Sequence, residues 1–104
     1  MTRYLFLAPY SGDPTAGYDF ALVAPFDCSE LVQPSVGDLY PPAPADTVLV
    51  WAYCQEHDRL TSFLAEFADD PTLAANIAML EASMADGLAA MQAEYTYVGA
   101  ITYA

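Results

Sequence analysis

Thr47 to Tyr53 reads TVLVWAY, a run without charge that holds the chain's only tryptophan. β-Branched and aromatic residues fit a pleated surface, and a run apolar on both faces belongs inside a sheet. A central strand is expected there. The period then changes. Leu60, Phe63, Leu64 and Phe67 are spaced as one helical stripe and predict a helix over 57–68. Glu56 and Asp58 sit where a helix dipole favours acids. Asp70-Pro71 is an N-cap followed by proline at the first helical position, and it predicts a second helix over 71–93. Leu73, Ile77, Leu80, Met84, Leu88, Met91 and Tyr95 form its apolar stripe. Tyr95 to Tyr103 (YTYVGAITY) then alternates as a strand does.

Upstream of Thr47 the signals are less regular. Arg3 to Ala8 (RYLFLA) reads as a buried strand. Tyr18 to Ala24 (YDFALVA) reads as a second strand, expected to pair with the first as a hairpin across Ser11-Gly12-Asp13-Pro14. From Pro25 to Asp46 come five of the eight prolines. This segment is expected to be an irregular loop, with one helical turn over 29–32 signalled by Asp27-Cys28-Ser29-Glu30. A functional loop and a rigid strap over a sheet edge are equally good readings of it. The whole is expected to be one α+β domain over 1–104. Its order is β-β-β-α-α-β, with a mostly antiparallel four-stranded sheet, two helices on one face and the long Pro-rich loop at 25–46.

The charge balance narrows the function. Among 104 residues, fourteen acids face two bases, Arg3 and Arg59, and the net charge is −12. Charged residues make up only 15% of the chain, so bases have been lost more than acids gained. The surface should carry negative potential throughout. Direct nucleic-acid binding draws on Lys and Arg against phosphate, and two arginines cannot supply it. Anionic membranes are disfavoured for the same reason. A protein partner with a basic surface is favoured, through a fast and salt-sensitive encounter. No segment reads as a secretory leader or reaches transmembrane length, so a cytoplasmic protein is expected.

Few residues carry recognisable chemistry. Cys54-Gln-Glu-His57 is the one local constellation. As a metal site it lacks a CxxC pair, a second histidine and an obvious fourth ligand. As a nucleophile and base it lacks an orienting group and an oxyanion donor. The plainer reading is a buried thiol at a strand end and a histidine at a helix start. Cys28 and Cys54 are either bridged or free. Asp69-Asp70 is explained by helix capping, and the eight tyrosines by core and interface packing. No cofactor, metal or enzymatic activity is expected.

Two sets of residues remain as candidates. The first is an acidic partner-binding face: Asp13, Asp19, Asp27, Glu30, Asp38, Asp46, Glu56, Asp58, Glu66, Asp69 and Asp70. The second lies on the outer side of the second helix, where Ala75, Met79, Ala82, Ala89 and Ala93 stand beside a single acid, Asp86. Small residues on such a face let another helix approach, so homodimerisation is a candidate role. In size and acidity, though in no motif, the chain resembles phage-encoded inhibitors of bacterial defence such as anti-CRISPR proteins. That resemblance implies an inhibitor that imitates nucleic acid and blocks the basic surface of a nucleoprotein complex. A self-associating structural or interaction module without inhibitory action is the alternative.

Overall fold

The computed structural model describes residues 1–32 and 42–103. The strands are β1 (Thr2–Pro9), β2 (Cys28–Leu31), β3 (Thr47–Tyr53) and β4 (Thr96–Thr102). The helices are α1 (Gln55–Glu66) and α2 (Pro71–Glu94). The four strands form one antiparallel sheet in the order β2-β3-β1-β4. The fold is α+β, and TVLVWAY is an inner strand, as its two apolar faces require.

β1 also lies inside. Tyr4 to Pro9 pair with β3 and Thr2 to Leu7 pair with β4, with a register shift between Leu5 and Phe6. With both flanks occupied, β1 cannot take Tyr18–Ala24 as a hairpin partner. Only an isolated Tyr10–Tyr18 bridge remains of the expected hairpin. The apolar alternation of 18–24 has a different use. Phe20, Leu22 and Val23 lie against the core on the helix side of the sheet. The Ala21 N–H donates to the Tyr95 hydroxyl at 2.7 Å instead of entering a ladder.

The second strand comes later than predicted, inside the Pro-rich segment. Cys28 to Leu31 pair with Tyr53 to Val50, so the turn predicted over 29–32 is extended. The capping signal was real but served another helix. Asp27 Oδ1 accepts from the Gln55 N–H at 2.9 Å, satisfying a free donor in the first turn of α1. The rest of the expected loop, 33–41, lies outside the described residues.

Two apolar layers sandwich the sheet. On the helix side Phe6, Ala52, Phe26, Cys54, Met84 and Met91 are buried together. Tyr4 meets Phe26 edge-on at 5.3 Å, and Phe6 meets Tyr97 at 5.3 Å. On the other side Leu5, Leu49 and Trp51 are buried with Leu7, Val32, Ala43 and Ile101 against them. Each fully buried large side chain is worth about 2 kcal/mol of transfer free energy.

α2 is longer than the sheet it lies on. Its 24 residues extend about 36 Å, whereas a seven-residue strand extends about 23 Å. α2 ends just before β4, at the Pro9–Thr47 end of the sheet, so its start must overhang the opposite end. There it packs against α1, which makes few contacts with the sheet. The molecule is elongated, 49 × 27 × 23 Å, with a radius of gyration of 15.3 Å against about 13 Å for a compact domain of this length.

Candidate functional site

Nine of the eleven acids of the predicted face fall into three groups. Asp13, Asp19 and Asp46 gather at the Pro9–Thr47 end of the sheet. The Tyr10 N–H donates to the Asp46 carbonyl at 2.9 Å, and the Asp19 N–H donates to the Pro9 carbonyl at 3.0 Å. Asp13 Oδ1 accepts from the Thr15 N–H at 2.9 Å and its hydroxyl at 2.8 Å, which holds that carboxyl below its ordinary pKa.

The second group surrounds the β3–α1 junction. Asp27 caps α1 from the β2 side. Asp58 is 3.9 Å from the amino group of Met1, and Glu56 holds Arg59. Glu81 joins this group from α2, with Oε1 3.4 Å from His57 Nε2. Glu81 lies outside the acidic face expected from the sequence, whose last member is Asp70. Its position eight residues before Ala89 on the α2 wheel gave no hint that α1 would lie alongside.

Glu66, Asp69 and Asp70 form the third group, at the tip of the α1–α2 hairpin. Asp70 also caps α2, accepting from the Thr72 N–H at 2.9 Å. All the described acids of the predicted face are exposed except Asp58, which is half-buried. Asp38 lies outside the described residues.

Both arginines are committed to neighbours. Arg3 Nη1 donates to Glu30 Oε2 at 2.7 Å, and its guanidinium lies 4.8 Å from the Tyr53 ring centre and 5.9 Å from that of Tyr103. The other Glu30 oxygen accepts from the Tyr53 hydroxyl at 2.8 Å. That hydrogen bond to a carboxylate pushes the Tyr53 pKa up to about 12, and burial and nearby Cys28 add to it. Glu30 is therefore spent on this cluster and contributes little to an open acidic face. The cluster borders a shallow cavity of about 440 Å³ that Trp51 and Tyr18 also line. Arg59 Nε donates to Glu56 Oε2 at 2.9 Å, which lowers the pKa of Glu56 and raises that of Arg59. Its guanidinium covers the Phe63 ring at 5.4 Å.

Cys54 and His57 meet through backbone and not through their reactive ends. Cys54 is the N-cap of α1, and its sulfur accepts from the His57 N–H at 3.4 Å. The thiol is 2% exposed, and burial raises its pKa, with Asp27 and Asp58 adding to the rise against the His57 and Glu56 N–H groups. A nucleophilic cysteine needs the opposite shift. Cys28 and Cys54 are both free thiols. Among the described residues no three His, Cys, Asp or Glu side chains gather as metal ligands would. Nor is any helix among them long and apolar enough to cross a membrane.

The structure also separates residues that the sequence grouped. Leu60, Phe63, Leu64 and Phe67 share one apolar helical stripe, but of these only Leu60 is buried. Phe63 and Phe67 are 37% and 52% exposed, and among the described elements α1 packs chiefly against α2. On α2, Met79 is 71% exposed. Ala75, Ala82, Ala89 and Ala93 are exposed with it, so among the described residues nothing covers the small-residue face. A groove of about 340 Å³ runs between the helices, lined by Glu56, Leu60, Asn76, Met79, Leu80 and Ser83. The signal for this exposed apolar surface was available in the lengths: a helix of this span cannot be covered by strands of this span.

Comparison with protein-family profiles, with curated proteins and with solved structures gives no match.

Proposed function

We propose that the protein is a cytoplasmic, non-enzymatic inhibitor that occupies the basic nucleic-acid-binding surface of a nucleoprotein complex. The observation that carries this reading is the fate of the two arginines. Each guanidinium is held by a carboxylate, Arg3 by Glu30 and Arg59 by Glu56. Among the described residues no arginine is left free to attract phosphate. Exposed acids meanwhile recur at the Pro9–Thr47 end of the sheet, at the β3–α1 junction and at the hairpin tip. A real nucleic acid presents negative charge at regular intervals along a groove, and a basic protein surface recognises that spacing through Coulomb attraction and counterion release. A stray lysine on such a mimic would repel the partner, so the lack of lysine is part of its specificity.

The test is competition across salt. Candidate nucleoprotein complexes are titrated with the protein while bound DNA or RNA is followed by anisotropy. Displacement that weakens steadily with rising salt is expected. Absence of displacement at low salt from any basic nucleic-acid-binding partner would remove the proposal. A self-associating module without inhibitory action, the second reading, is favoured by the uncovered face of Ala75, Met79, Ala82, Ala89 and Ala93. It predicts dimers by native mass measurement and no displacement.

A further inference from the structure

The overhanging hairpin combines three properties that occur together nowhere else among the described residues. It exposes large apolar side chains: Phe63, Phe67 and Met79. It has a groove between α1 and α2 with Leu60, Met79 and Leu80 in its lining. It is strongly acidic, with six carboxylates against one arginine between Gln55 and Ser83. That arginine is already paired with Glu56 and stacked on Phe63.

We infer that the α1–α2 groove docks a cationic amphipathic helix of the partner. This inference rests on the proposal of a basic partner and says where and how the chain grips it. A groove between two helices is matched by a third helix, whose apolar stripe enters at intervals of three and four residues. Leu60 on α1 and Met79 and Leu80 on α2 line the groove, and the exposed Phe63 and Phe67 continue the Leu60 stripe along α1 toward the tip. Charge decides among occupants. A second copy would bring the same six carboxylates against their twins, at a net charge of −12 each. A helix with Lys and Arg flanking its apolar stripe instead meets Glu66, Asp69 and Asp70 at the tip and Glu56 in the groove lining. Apolar contact then supplies residence time, and the acids supply orientation and encounter rate.

Arg59 makes the inference sharply testable. It is the one cation on the rim, and it covers Phe63. Removing it should strengthen docking, an effect that no unfolding produces. The probe is a labelled helical peptide of leucine and lysine in amphipathic register, with a leucine–glutamate peptide of the same pattern as control. Anisotropy titrations on the full chain at low salt should show binding of the lysine peptide alone. Phe67→Ser with Met79→Ser should weaken it by about tenfold or more. Arg59→Ala should tighten it by about threefold.

Equal binding of both peptides would overturn the inference. So would loss of affinity in Arg59→Ala, or no change in the double variant while its circular dichroism matches that of the parent. Self-association that Phe67→Ser and Met79→Ser abolish would assign the groove to a second copy instead. Binding to anionic vesicles through the same residues would assign it to a lipid surface. The two proposals fail separately. Peptide docking without displacement of nucleic acid leaves the groove standing and removes mimicry. Displacement that survives the double variant removes the groove alone.

Discussion

The two halves of α2 share a composition and a stripe but have different surroundings. Met84, Gly87 and Met91 are buried on the sheet against Phe6 and Phe26. In the leading half only Ile77 is buried, and its neighbour is α1, a helix with one buried residue of its own. The same apolar periodicity thus makes a core at one end and a half-open surface at the other. What separates them is what lies opposite: a four-stranded sheet for one half and a twelve-residue helix for the other. The trailing half should carry the stability, and the leading half is available to a partner.

Met91→Ala should break the trailing half most severely. Met91 is fully buried, and deleting a side chain of that size with little relaxation costs about 3 kcal/mol. Chemical denaturation should show a lower midpoint with an unchanged slope. A loss below about 1 kcal/mol would mean that the sheet side is loosely packed.

Gly87→Ala should come next, and in an unusual direction. In an open helix this change is stabilising by about 1 kcal/mol. Here a Cβ would stand 2.7 Å from the Ala24 carbonyl oxygen and 3.3 Å from Phe26 and Pro25. A carbonyl in the backbone cannot swing aside as a flexible side chain does. Overpacking should outweigh propensity, leaving a net loss of about 1 kcal/mol. A rise in the thermal midpoint would show that the 24–26 segment yields.

A smaller effect follows from pH, on the far face of the sheet. The folded Tyr53 hydroxyl holds its proton up to about 12, against an ordinary 10.0, chiefly through its hydrogen bond to Glu30. Its contribution is complete below pH 10 and is lost as pH rises from 10 toward 12. The thermal midpoint should fall across that window, and Glu30→Gln should flatten the fall. The smallest change belongs to the leading half. Phe67→Ala should alter stability by no more than about 0.5 kcal/mol, because half of that ring already faces water. A large loss there would mean that the hairpin is part of the core and not a separate surface.

Most of the fold was legible because its strongest signals are local. TVLVWAY, the Asp70-Pro71 cap and the seven-residue stripe of α2 each name their element without reference to the rest of the chain. The misreading of Tyr18–Ala24 was a matter of competition. A period of two says that alternate residues meet different surroundings, but it does not say that a ladder is free to receive the segment. β4, almost eighty residues away, already held that flank of β1. Asp27 failed similarly: its carboxylate caps a helix that starts 28 residues later. For the candidate site, the sign of the charge and the identity of the acids can be read from composition alone. The pairing of Arg3 with Glu30 and the exposure of Phe63 and Phe67 depend on contacts between distant segments.

The pairing of β1 with β4 also sets a timetable for synthesis. β1 is made well before Thr96–Thr102, the strand that fills one of its two flanks. Until then the ribosome carries a strand with an open edge and an α2 that lacks its final anchor. At about 5–20 residues per second this interval lasts several seconds. The sheet can therefore close only after Thr96–Thr102 has emerged, and its folding is governed by this non-local pairing. During that wait the net charge of −12 has a second use, keeping unfinished chains apart by mutual repulsion.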